Sequence, residues 1–306
     1  MTPSLFRAPP DYARWDQVAH LLHQSFAYMT PILGHAAHAL TLEATDLSRA
    51  ADSGCVFLMT RGDNPVACLF TRPSRDIANA LYCGWLAVDG NERGQGLSHH
   101  LINAAETEAI GQGKSALTLD TGRELTHLHR LFSRLGFSRH PGTGAVVTFV
   151  KPVPLRLAAD NPLLPEIFDL MHRSFADMAG RIDPPSSLHQ MTLGSLTKDA
   201  TQNELWALIE GTRPTACMIL TPKPESLYLG KLAVDPTLQR RGFARRLVAQ
   251  AEIRARTLRL ASITLQTRIE LTENHIAFRA LGFTQTNATA HPGYNRPTSL
   301  TFSKTL

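Results

Sequence analysis

The chain repeats itself, and this limits what it can fold into more than any other feature. Leu86, Ala87, Val88 and Asp89 return as Leu232, Ala233, Val234 and Asp235, 146 residues later. At the same offset Thr118, Leu119 and Thr121 fall on Thr264, Leu265 and Thr267, and His129 falls on His275. Leu135, Gly136 and Phe137 fall on Leu281, Gly282 and Phe283. Of the 52 positions in 86–137, 20 are identical in 232–283, where average composition gives about one in sixteen. Upstream, at an offset of 149, His23, Ser25, Phe26, Ala27 and Met29 fall on His172, Ser174, Phe175, Ala176 and Met178. A period this long is not that of a solenoid. It describes two copies of one domain, and 306 residues give each copy enough chain for its own core. Lys151, Pro152, Val153 and Pro154 mark the boundary, because two prolines interrupt a ladder or a helix. The expected domains are 1–150 and 155–306.

Each copy reads as a mixed α/β arrangement in which strands precede helices. In the first, the apolar spacing predicts a helix over 14–28, strands at 54–60, 65–71 and 79–88, and a helix over 96–111. A strand at 115–121, a helix at 126–135 and a strand at 144–150 follow. The second copy gives a helix over 162–178, strands at 204–210, 214–221 and 226–234, and a helix over 242–257. A strand at 261–267, a helix at 272–281 and a strand at 297–303 complete it.

Composition excludes other classes. With 43% hydrophobic and 19% charged residues, the chain is neither disordered nor fibrous. No apolar run approaches the ~18 residues of a membrane span, and the first residues lack a basic-then-apolar leader. The chain reads as cytoplasmic, without a membrane partner. Cys55, Cys68, Cys83 and Cys217 form no CxxC pair and suggest buried thiols in a reducing compartment, with no metal site. A net charge of +5 spread over two domains is weak evidence for nucleic acid and also suits a phosphate-rich small ligand, so no nucleic-acid partner is expected.

In both copies the repeated strand ends in a polar, basic loop that opens a helix. The first loop contains Arg93, Gly94, Gln95, Gly96, Leu97 and Ser98; the second contains Gln239, Arg240, Arg241, Gly242, Phe243 and Ala244. The first turn of a helix leaves about four N–H groups without internal partners and carries roughly half a positive charge. A phosphate satisfies both. Gly96 and Gly242 let backbone and ligand approach without a Cβ between them. A single such glycine also fits a plain helix start, but two in register after the same strand favour the anion. No Gly-Lys-[Ser/Thr] follows, which excludes a P-loop, and no Gly-x-Gly-x-x-Gly is present, which excludes a Rossmann fingerprint.

With these loops and the later Leu-Gly-Phe, the chain resembles the GNAT superfamily of acetyltransferases, in a tandem arrangement covering nearly the whole sequence. The resemblance implies that each copy is an α/β (α+β) domain, a twisted mixed sheet flanked by helices, with acetyl-CoA as cofactor. It implies that the backbone of Leu86, Ala87 and Val88, and of Leu232, Ala233 and Val234, binds the pantetheine arm between two parting parallel strands. The amides of 93–98 and 239–244 would hold the pyrophosphate, with Asn274 nearby.

The implied reaction is attack of a neutral amine on the thioester, which needs a group to accept a proton and one to protonate the departing sulfur. The family's tyrosine acid falls here on Phe132 and Phe278, so neither copy has it. Tyr228, matched by Tyr82, stands on the parting strand as an acid candidate, although both also fit a core role. Glu225, whose counterpart is Asn79, is the candidate base, and Tyr294 a further candidate. Because Glu225, Asn274 and Tyr294 are absent from the first copy, chemistry is expected in the second. The acceptor would be a small-molecule or peptide amine, bound by segments 29–53 and 178–203, which carry no motif. The protein is expected to be a monomer or homodimer. A non-catalytic acyl-CoA sensor is the alternative that the missing tyrosine permits.

Overall fold

In a computed structural model describing residues 2–306, the first half of the chain contains β1 (Ser4–Ala8), α1 (Trp15–Phe26), α2 (Thr30–Leu33), α3 (Ala44–Ser53), β2 (Cys55–Arg61) and β3 (Asn64–Pro73). It continues with β4 (Ala80–Val88), α4 (Leu97–Gly111), β5 (Ala116–Gly122), α5 (Thr126–Arg134), β6 (Ser138–Arg139) and β7 (Val146–Pro152). The second half contains β8 (Leu155–Leu157), α6 (Leu164–Phe175), α7 (Leu193–Gln202), β9 (Glu204–Glu210), β10 (Arg213–Pro222) and β11 (Leu227–Val234). Then come α8 (Phe243–Thr257), β12 (Ser262–Arg268), α9 (Thr272–Ala280), β13 (Thr284–Thr289) and β14 (Ser299–Thr305). The chain divides into two units, Met1–Val153 and Pro154–Leu306.

Each unit holds one seven-stranded sheet, in the order β1-β2-β3-β4-β5-β7-β6 in the first and β13-β14-β12-β11-β10-β9-β8 in the second. Every pairing is antiparallel except β4 with β5 and β11 with β12. In each parallel pair the connection runs through a helix, α4 or α8, as a crossover requires. The central strands are apolar on both faces, so both faces must be covered. Along β2, Cys55, Phe57 and Met59 pack with Leu101, Ile102 and Ala105 of α4. Val56 and Leu58 pack with Val18 and Leu22 of α1 and Leu47 of α3. The second unit builds the same α6–α7 layer on Leu205, Ala207 and Ile209.

The structure adds elements that the sequence reading lacks, among them α2, β6 and β13. Edge strands β1 and β8 are short and half-exposed, without a clean alternation to announce them. Helices α3 and α7 occupy segments that carried no motif. The units divide between Val153 and Pro154, inside the expected 151–154 segment, while β7 runs through Pro152, which lies opposite Ala116. Lys151, expected in the connection, is a buried strand residue with its Nζ 3.0 Å from Glu106 Oε1. Among the described residues no helix is long and apolar enough to cross a membrane.

Candidate functional site

The site of each unit begins with a bulge. Cys68 and Phe70 on β3 face Ala87 and Gly84 on β4, so one residue, Leu69, opposes two, Trp85 and Leu86. In the second unit Cys217 and Ile219 face Ala233 and Gly230. The residue after each glycine takes a left-handed conformation, Trp85 at φ 47° and Lys231 at φ 51°. Such a bulge bends and twists its strand, and parallel pairing stops just before it. The last β4–β5 pair is Tyr82 with Thr118, and the last β11–β12 pair is Tyr228 with Thr264. Beyond these the strands part, leaving the backbone of Leu86, Ala87 and Val88, and of Leu232, Ala233 and Val234, along an open edge. A hydroxyl fixes the far end of that edge: Ser25 donates to the Val88 carbonyl at 3.5 Å and Ser174 to the Val234 carbonyl at 3.1 Å. This accounts for the repeated serine, whose role sequence reasoning missed.

The open edge leads into the basic loops. Gly96 and Gly242 are the N-cap residues of α4 and α8, at φ 79° and 84°, and neither helix has a side-chain cap. A Cβ built on either glycine would find nothing within 4 Å. Two positions earlier, Gly94 (φ 80°) and Arg240 (φ 63°) share the left-handed conformation. Leu97 and Phe243 bury their side chains and anchor the helix, so only their amides face the loop. Backbone donors and open space thus converge at each helix start, as an anion requires.

The loops differ in charge. Asp89 and Glu92 against Arg93 leave −1 over 89–98, whereas Asp235 against Arg240 and Arg241 leaves +1 over 235–244. In the first unit Arg61 grips Glu92 through two contacts of 2.7 Å, and Gln95 turns back onto Glu92 at 2.9 Å. In the second, Arg240 and Arg241 form no ion pair among the described residues, and Arg241 lies 5.8 Å from the Phe243 ring centre. Asp235 is buried against Thr237 and Arg213. The Thr237 hydroxyl, with the Thr237 amide and Arg213, holds its carboxyl below the usual range.

The other sequence candidates fall in different places. Tyr228 stands at the parting point. A Cβ on Gly230 would lie 3.2 Å from its ring, so the ring leans along β11 toward the open groove. Burial raises the Tyr228 pKa, so the phenol keeps its proton through neutral pH. Tyr82 leans over Gly84 in the same way, under Arg72 at 4.2 Å. Glu225 is exposed in the β10–β11 turn, before the paired end of β11. Its Cα lies at most about 10 Å from that of Tyr228, whose ring points the other way. Tyr294 donates its hydroxyl to Asp183, which also takes Arg296 at 3.2 Å. That bond raises its pKa and ties the 291–298 segment to the segment before α7. Asn274 reaches Thr267 Oγ1 at 3.5 Å. His275 is buried, not on the helix surface, and donates to the Arg268 carbonyl at 2.9 Å, just as His129 donates to Gly122 at 3.1 Å. Phe132 is buried in the core. All four cysteines are free and buried, with pKa values raised by burial to about 11 at Cys55 and about 12 at the others, so they are inert as nucleophiles.

Comparison with known proteins gives the family. A family model described as the acetyltransferase (GNAT) family matches residues 15–137 and again 164–283. No functionally curated protein matches the chain. Among solved structures, the chain is similar to the PaiA N-acetyltransferase of Thermoplasma acidophilum in complex with coenzyme A, at 11% identity and a TM-score of 0.43, covering 50% of this chain and 99% of that one. It is similar to a GNAT acetyltransferase of Elizabethkingia anophelis with acetyl-CoA bound, at 16% identity and a TM-score of 0.38, covering 50% and 97%. It is also similar to an acetyltransferase of Streptococcus agalactiae, at 17% identity and a TM-score of 0.40, covering 56% and 99%. With its model matched once in each half, the chain belongs to the GNAT acetyltransferase family.

Proposed function

We propose that the protein is an acetyl-CoA-dependent N-acetyltransferase acting on an amine acceptor, with chemistry in the C-terminal unit. The carrying observation is the continuous path from an open strand edge, at Leu232, Ala233 and Val234, to an uncapped helix start at Gly242. The residues fit the cofactor: the edge offers peptide groups to an extended arm, and the loop offers amides and unpaired arginines to a pyrophosphate. Bound there, acetyl-CoA supplies an activated acetyl thioester. The second loop is more positive than the first by two charges, which favours the phosphates in the C-terminal unit.

In this reading Tyr228 is the acid. Its phenol stands where the strands part and is protonated at neutral pH, so it donates to the sulfur as the carbon–sulfur bond breaks. Glu225, exposed three residues before Tyr228, takes the amine proton through intervening solvent. Tyr294 holds the acceptor side through Asp183. The N-terminal unit binds acetyl-CoA without turnover, because Trp85 fills the space beside its parting point against Phe70, 5.0 Å between ring centres.

The test is thiol release from acetyl-CoA with a panel of amines. Tyr228→Phe is expected to lower kcat at least a hundredfold, and Tyr82→Phe to leave it within twofold. Release without any amine dependence would remove the acetyltransferase reading. Gly96→Glu with Gly242→Glu is expected to abolish acetyl-CoA binding.

A further inference from the structure

One cation beside the parting point of the C-terminal unit lacks a counter-ion. Other cations of the unit are engaged: Arg181 with Glu273 at 2.6 Å, Arg296 with Asp183 at 3.2 Å, and Arg268 with the Pro185 carbonyl at 3.0 Å. Lys231 is half-buried and has no ion pair among the described residues. It occupies the bulge, three residues beyond Tyr228. Ala233, two positions on, packs into the α6–α7 layer. Asp199 of α7 is the one charge that acts on Lys231, and it offsets only part of the burial that lowers the lysine's pKa.

The first unit shows what this position holds when no charge is needed. Trp85 packs there against Phe70 and against His38, 6.1 Å between ring centres. The counterparts of those two rings are Ile219 and Ser187. The second unit therefore replaces a cluster of three rings with an ammonium among smaller side chains. Partly burying an ammonium without a counter-ion is costly unless a ligand brings the opposite charge. A single point charge matches a monoanion better than a phosphate, which recruits several donors or a guanidinium fork.

We propose that Lys231 anchors a carboxylate of the acceptor, so that the C-terminal unit acetylates molecules bearing both an amine and a carboxylate, as amino acids do. This rests on the acetyltransferase reading above.

The experiment compares amino acids with their decarboxylated amines on the full chain: phenylalanine with phenethylamine, tryptophan with tryptamine, histidine with histamine. Thiol release is expected to favour the carboxylated member. In Lys231→Met the ratio of kcat/KM for acid over amine is expected to fall at least tenfold, the loss of one charge-assisted hydrogen bond, and Lys231→Arg is expected to restore part of it. A ratio unchanged in Lys231→Met overturns the proposal, as does an equal loss of kcat for both members, which would make the lysine a proton acceptor. If no acceptor releases thiol, the activity reading fails separately. Calorimetric titration of phenylalanine, tryptophan and histidine into protein saturated with coenzyme A then decides Lys231. Binding at least tenfold weaker in Lys231→Met supports the anchor, and equal binding or none to the parent overturns it.

Discussion

Replacing Gly242 and Gly282 separately with alanine distinguishes a glycine that faces a ligand from one that faces the protein. Gly242 sits at φ 84° with nothing within 4 Å of a built Cβ. Alanine there costs the left-handed backbone alone, about 1–2 kcal/mol, or roughly 2–8 °C in melting temperature for a unit of this size. The added methyl fills the open space before the loop amides and holds a phosphate away. Losing one charge-assisted hydrogen bond, about 1.5–3 kcal/mol, lowers acetyl-CoA affinity roughly 10- to 100-fold. Gly282 has the same backbone, at φ 89°, but its Cβ would lie 3.2 Å from Cε and Nζ of Lys304. That lysine is held by Glu252 at 2.6 Å and by the Leu281 carbonyl at 2.8 Å, so it cannot simply swing away. Gly282→Ala is therefore expected to melt lower than Gly242→Ala while binding acetyl-CoA like the parent. Both variants are made with Gly96→Glu, so that a single site titrates, and are followed by scanning and titration calorimetry. Undiminished affinity in Gly242→Ala, or an equal loss in Gly282→Ala, would falsify the view of the loop as an anion cradle.

Three further outcomes follow from the same geometry. Lys304→Met leaves the partly buried Glu252 without its closest cation, and urea denaturation is expected to show the C-terminal unit destabilised by about 2–3 kcal/mol. Asp235 has a folded pKa below its unfolded one, so its contribution is present above the ordinary carboxylate range and is lost as pH falls through the lowered value. Melting temperatures measured downward from pH 5 are thus expected to fall less steeply in Asp235→Asn than in the parent. Tyr294→Phe releases the 291–298 segment from Asp183 and is expected to raise the acceptor KM several-fold at unchanged kcat; a hundredfold fall in kcat would instead make Tyr294 the acid.

The sheets, their helices and the basic loops are legible in the sequence because each is written locally, as an apolar period or as a glycine after a strand, and is written twice. The bulges are not. Nothing in Trp85 or Lys231 announces a positive φ, and the slip that creates each bulge lies in the register between two strands. The serines and histidines of the repeat are visible as identities, but what they bind is fixed only when a helix lands on a strand end. Helix α7 starts on a capping box of Thr192 and Ser195, with a serine where the familiar pattern has Glu or Gln, so its start went unrecognised.

The identities and the mismatches of the repeat carry different information. Gly136 and Gly282, Glu106 and Glu252, and His129 and His275 are the same in both units because the same packing demands them. Some of the mismatches lie where the strands part and at the loops beyond. Ser226 lies 3.1 Å from Thr264, Oγ to Oγ, but its counterpart is Ala80, so the Thr118 hydroxyl is buried with no partner among the described residues. Glu92 brings a negative charge to the first loop where Leu238 brings none to the second. A buried hydroxyl without a partner costs about 1–3 kcal/mol, and an acidic side chain in an anion loop weakens binding. Both penalties fall on the first unit, at the places where ligand chemistry would be concentrated. The second unit avoids both, and it alone carries the lysine in the bulge. That asymmetry is the physical reason to look for turnover in the C-terminal unit, since the two units share the scaffold and differ in the groups that face the groove.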